Sequence, residues 1–264
     1  MATIIDTHTH LYDIPDVPLA LREAREAGVT DVVALGVDLI SNQKHLALAA
    51  DSAHPFIHLA LGLHPGNITP EEIEKCFPFF QNALKDPGAF PRLVAMGETG
   101  LDFWYKNVKN SDEKKNEQRK VFARHLELAR EFNLPVVIHS RGAWRECLDM
   151  TVNAGVIKAN FHWYSGPVDV LGDILDAGFV VSFSPALEYS PESRQAAEFS
   201  PLDKILIETD TPVRISVAGG ERIPSTPKHV WRTLRALCAL KGIGEEQALF
   251  TVNQNARAFF GIQG

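Results

Sequence analysis

Eight short apolar runs, most of them separated by longer amphipathic stretches, constrain this chain more than any other feature. The runs lie at 3–6, 31–36, 57–61, 93–96, 135–138, 159–161, 179–183 and 204–207, and each reads as a strand. Helical periodicity recurs between them. Leu19, Leu21, Ala24 and Ala27 fall at helical spacing within 18–28, which ends on Gly28. Thr69-Pro70-Glu71-Glu72 joins an N-cap residue, a first-position proline and acidic first-turn residues, so a helix is expected from there to about 84. Further helices are expected over 41–50, 112–132, 145–153, 168–177, 227–240 and 244–260, with 215–227 as a loop. Right-handed strand–helix–strand units of this kind close into a barrel or open into a doubly wound sheet. The 264 residues suit one barrel, which typically takes roughly 250. No repeat, low-complexity tract or linker interrupts them, so one domain over 1–264 is expected.

Composition narrows the setting. Apolar residues make up 45% of the chain and charged residues 22%, which fits a globular protein with a true core. No apolar run approaches the roughly 18 residues that span a bilayer, so no membrane association is expected. The N-terminus lacks a basic segment followed by a long apolar stretch, so no secretory signal is expected. Cys76, Cys147 and Cys238 are few, far apart and outside any C-x-x-C pattern. They read as small buried apolar side chains in a reducing cytoplasm. A formal net charge of −7 would repel nucleic acid at long range. A phosphate substrate would therefore need local attraction, which bound cations can supply.

Chemistry gathers where the runs end. The first gives way to Asp6-Thr7-His8-Thr9-His10, and residues two apart on a strand share a face, so His8 and His10 can bind one ion together. Alone, an H-x-H pair is weak evidence. The placement recurs with His64 after the third run, Glu98 and Asp102 after the fourth, and His139 and Arg141 after the fifth. His162 follows the sixth, and Glu208 and Asp210 follow the eighth. In a (β/α)8 barrel those strand ends surround the active site. His45, His54, His58, His125 and His229 show no such placement and read as structural.

Four histidines and two carboxylates exceed what one zinc ion takes. Six donors (His8, His10, Glu98, His139, His162 and Asp210) suit two ions with a carboxylate bridge. Glu98 lies between the two histidine groups and is the natural bridge. Asp210 falls beside the first strand only if the sheet closes, which favours a TIM-type (β/α)8 barrel.

These residues resemble the TatD family of metal-dependent hydrolases, within the amidohydrolase-like superfamily. The likeness is carried by DTHTH at 6–10, GLHPG at 62–66, GETGLD at 97–102 and NLPVVIHSR at 133–141. It continues with HWYSG at 162–166 and ETDTP at 208–212, and takes in the end of the chain at 255–260. The resemblance implies a barrel with the metal site at the C-terminal strand ends. It implies one to two divalent ions, and at full occupancy two divalent metal ions (Mg, Mn or Zn), with His8, His10, Glu98 and Asp210 around one and Glu98, His139 and His162 around the other. It also implies hydrolysis of phosphodiester bonds in DNA, often from a free 3′ end. Many binuclear relatives in the superfamily bridge their ions with a carboxylated lysine on strand 4, where this chain has Glu98.

The chain departs from the family pattern in three places, one of them a downstream Arg-Asn-x-Pro anchor present only in part at 222–227. Trp163 follows the sixth-strand histidine, where a small residue or cysteine is usual. Thr211-Pro212-Val213-Arg214 replaces the usual Pro-aromatic-Leu run. Asp210 is expected to orient the attacking water and, with Glu98, to be catalytic. His64 and Arg141 are candidate substrate-binding residues, and Asp102 and Glu208 candidate acceptors for ligand N–H groups. Phe103, Trp104, Tyr105, Trp163 and Tyr164 are candidates for base stacking or loop packing. Three functions fit: a DNA nuclease, an esterase or aminoacyl-tRNA deacylase on the same ions, or a non-enzymatic metal-binding protein. A monomer is compatible with every feature above.

Overall fold

The computed structural model describes residues 2–263 apart from 87, 89, 91 and 217–219. Eight strands carry the sheet: β1 (Ile4–Thr9), β2 (Val29–Leu35), β3 (Ile57–Leu61), β4 (Leu93–Asp102), β5 (Val136–Arg141), β6 (Ala159–Phe161), β7 (Val180–Phe183) and β8 (Ile205–Ile207). Successive strands pair in parallel, in chain order from β1 to β8. Helices α1 (Val17–Glu26), α2 (Leu39–Ala50), α3 (Pro70–Lys85), α4 (Asp112–Glu131), α5 (Trp144–Asn153), α6 (Val168–Asp176) and α7 (Pro191–Phe199) connect them. Two further helices, α8 (Val230–Lys241) and α9 (Glu245–Phe260), follow the sheet. This is the (β/α)8 barrel that the apolar runs imply.

The seam between β8 and β1 is closed by polar contacts. Thr7 Oγ1 donates to Ile207 O at 2.9 Å, and Asp210 N donates to His8 O at 3.0 Å. His10 N donates to Thr211 O at 2.9 Å. Asp6, wholly buried, accepts from Thr209 N at 2.9 Å and Thr209 Oγ1 at 2.7 Å. Desolvation there outweighs these donors and raises the Asp6 carboxyl well above its ordinary value.

One apolar cluster joins strands to the surrounding helices; Val32, Leu59, Met96, Ile138 and Phe161 belong to it. A second joins Ile5, Val33, Leu35, Ala60, Ala95 and Val137 to Phe259, Phe260 and Ile262 at the end of the chain. The alternation between the clusters, Val32 then Val33, is the period of two that a strand imposes. Among the described residues no helix is long and apolar enough to cross a membrane.

Three expectations need correction. Strands β1, β4 and β5 run past the apolar runs, to Thr9, Asp102 and Arg141, so His8, Glu98, His139 and Arg141 lie within strands rather than after them. Hydrophobicity stops early there because the strand tops face the polar cavity. The segment expected as a loop contains a hairpin of β9 (Arg214–Ser216) and β10 (Arg222–Pro224), while its tip at 217–219 lies outside the described residues. Arg214 Nη2 donates to Arg222 O at 2.7 Å and Arg222 Nη2 to Arg214 O at 3.1 Å, reinforcing strands too short to show a pattern. Finally, α7 was not expected. Its signals are a cap at Ser190, whose side chain accepts from Ser193 N, and Pro191 at the first position.

His125 on α4 sets the loop above β3. It is buried; its Nε2 accepts from Leu63 N at 3.1 Å and its Nδ1 faces Val121 O at 2.8 Å. Burial lowers its pKa from 6.5 to about 4. Between those values the unfolded chain binds a proton that the folded chain refuses, so stability falls as pH drops through that window. The full loss at this site is about 3 kcal/mol. Urea unfolding between pH 7 and pH 4 should show a shallower decline for His125→Gln, from a starting stability lower by about 1–3 kcal/mol. An unchanged slope would remove His125 as the source.

Candidate metal centre

Glu98 sits 2% exposed on β4, and its two oxygens face different histidines. Oε2 lies 3.2 Å from His10 Nε2 and 3.5 Å from His8 Nε2. Oε1 lies 2.8 Å from both His139 Nδ1 and His162 Nε2, and 3.4 Å from His64 Nε2. Asp210 Oδ1 joins the first group, at 3.3 Å from His10 Nε2 and 3.5 Å from His8 Nε2. All six candidate ligands therefore converge on one cluster. His64 converges with them, close enough to Glu98 Oε1 to be a neighbour of the carboxylate as well as a candidate for substrate contact.

Glycines make room for this crowding. A Cβ on Gly62 would stand 2.4 Å from Glu98 O. Gly100, at φ +143°, would place one 2.0 Å from His139 O. The GLH and GETG patterns thus bring β3, β4 and β5 together around the carboxylate. Asp210 (φ 50°) and Trp163 (φ 41°) adopt the left-handed conformation that non-glycine residues seldom take, each just past a strand end.

The far side of most rings is anchored. His10 Nδ1 meets Leu35 O at 3.1 Å, His139 Nε2 meets Asp102 Oδ2 at 3.0 Å, and His162 Nδ1 meets Glu208 Oε1 at 3.4 Å. Each acceptor can hold the N–H of its ring and leave the other nitrogen's lone pair facing inward. Asp102 is itself held by Arg141 Nε at 2.8 Å, and Glu208 by Ser182 Oγ at 2.5 Å and Trp163 N at 3.0 Å. The guanidinium of Arg141 lies over Tyr105 and lines the cavity, so its salt bridge and its access to a ligand coexist. His8 stacks on His162 with centroids 4.1 Å apart, and its buried Nδ1 has no hydrogen-bond partner among the described residues.

The electrostatics call for cations. Burial would raise the Glu98 carboxyl, yet His162, His64, His10 and His139 hold it well below the usual carboxylate range. Asp210 is likewise held down against burial by His10, His8 and His162. The carboxylates offset the desolvation of His10, His139 and His162 and raise all three, whereas burial prevails at His8 and lowers it. Two nitrogens 3.2 Å apart, on His8 and His10, face the same ionised oxygens. That donor set fits divalent metal ions. The groupings His8–His10–Glu98 and His64–Glu98–His139 each bring ligand atoms within 4.8 Å of one another, as does His8–His162–Glu208.

The aromatic candidates divide. Tyr164 is buried and donates to Pro167 O at 2.8 Å, and Phe103 lies beneath Lys115 and Arg119, so both pack the loops. Trp104, which is exposed, and Trp163 line the cavity. Tyr189, Glu192 and Ser193 line it too, although nothing in the apolar pattern marked them. The capping signal at Ser190 would have located the helix that carries Glu192 and Ser193 and follows Tyr189.

A (β/α)8 barrel with a histidine–carboxylate cluster at its strand ends is the arrangement of a metal-dependent hydrolase. The chain belongs to the TatD family: the family model described as "TatD related DNase" matches residues 5–261. It is 29% identical over 272 residues to the human deoxyribonuclease TATDN3, covering 97% of this chain and 94% of that one. The uncharacterized metal-dependent hydrolase YcfH of Escherichia coli K12 is 30% identical, over 97% of this chain and 95% of its own. The crystal structure of YJJV, a TatD homolog from E. coli, superposes with a TM-score of 0.86 at 24% identity, over 98% of each chain.

Glu98→Gln should retain less divalent metal than wild type after dialysis, measured by elemental analysis. It should also lose most of the rise in Tm that saturating metal confers, worth about 2.7 kcal/mol at a hundredfold excess over Kd. Equal metal content in the two proteins would take Glu98 out of the centre.

Proposed function

We propose that this chain is a divalent-metal-dependent deoxyribonuclease, acting on single-stranded or frayed DNA from the 3′ end. The division of the Glu98 oxygens between two histidine groups carries the reading. His8, His10, Glu98 and Asp210 would hold one ion, and Glu98, His139 and His162 a second. Mg, Mn and Zn are the candidates. When bound, such ions acidify water and neutralise charge on phosphoryl oxygens.

The chain's own groups do the rest. Asp210 stands at the cavity edge beside His10, where its carboxylate can orient the attacking water and take its proton. Arg141 and His64 line the same cavity and would position the phosphate. Asp102 and Glu208 hold the rings of His139 and His162 in one orientation, so the site is organised before substrate arrives. We read residues 1–264 as one domain and place it in the cytoplasm, consistent with three free, buried cysteines. An esterase or deacylase would use the same donors, and Trp163 beside them leaves that the reading to test against.

Purified protein should shorten a 5′-labelled single-stranded oligonucleotide with Mg²⁺, Mn²⁺ or Zn²⁺, stop on chelation, and leave aryl and aminoacyl esters largely intact. Asp210→Asn should lower kcat by about 10²-fold or more, with KM little changed. Ester hydrolysis without oligonucleotide cleavage would replace the nuclease by the deacylase.

A further inference from the structure

The cavity above the histidine–carboxylate cluster extends well beyond it. It encloses about 720 Å³, enough for a nucleotide-sized ligand. Tyr189, Glu192 and Ser193 line it together with the cluster. They come from the start of α7 and the turn before it. We propose that they form a nucleobase subsite, in which Tyr189 stacks on the base of the residue being removed while Glu192 and Ser193 bind its N–H and acceptor edge. The proposal rests on the phosphodiesterase reading above and adds what holds the other end of the substrate.

Three observations point to such a ligand. Tyr189 is 57% exposed, a large aromatic surface left uncovered on a cavity-lining residue. Ser193 is 1% exposed, and its Oγ has no hydrogen-bond partner among the described residues. A buried hydroxyl without a partner on a cavity wall is an unmet demand that a polar ligand can satisfy. Glu192 Oε2 accepts from Ser190 Oγ at 3.0 Å, which leaves Oε1 for a ligand.

Charge then orients the substrate. The start of a helix ordinarily favours anions, but Glu192 places a carboxylate there and disfavours a second phosphate. The anionic end of a nucleotide is drawn to the cation-binding cluster, and its neutral end falls to Tyr189 and Glu192. A carboxylate selects adjacent N–H donors, and guanine presents them at N1 and N2.

The test compares metal-loaded protein on two single-stranded oligonucleotides, one ending at its 3′ position in dG, the other in an abasic tetrahydrofuran residue. Wild type should remove the dG residue about tenfold faster or more, the scale of one stacked base. Tyr189→Ala and Glu192→Ala should each bring that ratio several-fold closer to one, while Tyr189→Phe keeps it. Circular dichroism checks that each variant is folded. A ratio near one in wild type, or a ratio that neither Tyr189→Ala nor Glu192→Ala reduces, overturns the subsite and leaves the nuclease reading standing. Cleavage of neither oligonucleotide by wild type overturns the nuclease reading, and the subsite with it.

Discussion

The buried carboxylate of Glu98 organises the top of the barrel. A charge 2% exposed is tolerated only where opposite charge surrounds it, and here the raised imidazoles of His10, His139 and His162 do so. Everything around it follows from that demand. Gly62 and Gly100 allow the close approach of backbone. Asp102 and Glu208 hold rings whose inner nitrogens face the same carboxylate. The acidic surface of the protein and an anionic substrate are reconciled at the same point, because divalent cations reverse the local sign.

Much of this was legible in the sequence, for a physical reason. A barrel strand is apolar until it reaches the cavity, so the break from apolar run to histidine or carboxylate marks where each strand meets the active face. His8, Glu98, His139, His162 and Asp210 were readable in that way, and their recurrence at five strand ends distinguished them from His45 or His125. The same break concealed the true strand lengths, since β4 continues through Glu98 to Asp102. It also gave no access to Tyr189, Glu192 and Ser193, which reach the cavity from the start of α7 and the turn before it, outside any strand end. The short hairpin at 214–224 was hidden too, because three-residue strands are too brief for a pattern.

His64 shows where residue type and role come apart. From spacing it was a candidate for substrate contact, and it stands 3.4 Å from Glu98 Oε1 with its ring 4.4 Å from that of His139. Burial lowers it to about 3, so it presents a neutral ring to its neighbours. A neutral imidazole beside the Glu98 carboxylate can donate its N–H or offer a lone pair, so its residue type alone does not fix its role.

The seam at Asp6, His8, Thr209 and Asp210 bears on the order of assembly. His8 and His10 emerge at the start of synthesis, but Asp210 reaches them only when the last strand docks. The cluster therefore depends on contacts across a sequence separation of 203 residues, as between Asp6 and Thr209, a high-contact-order arrangement. A chain that stops short of β8 carries His8, His10, Glu98, His139 and His162 but lacks Asp210 and the seam that seats it. The full donor set is therefore a property of the closed barrel rather than of any one segment of it.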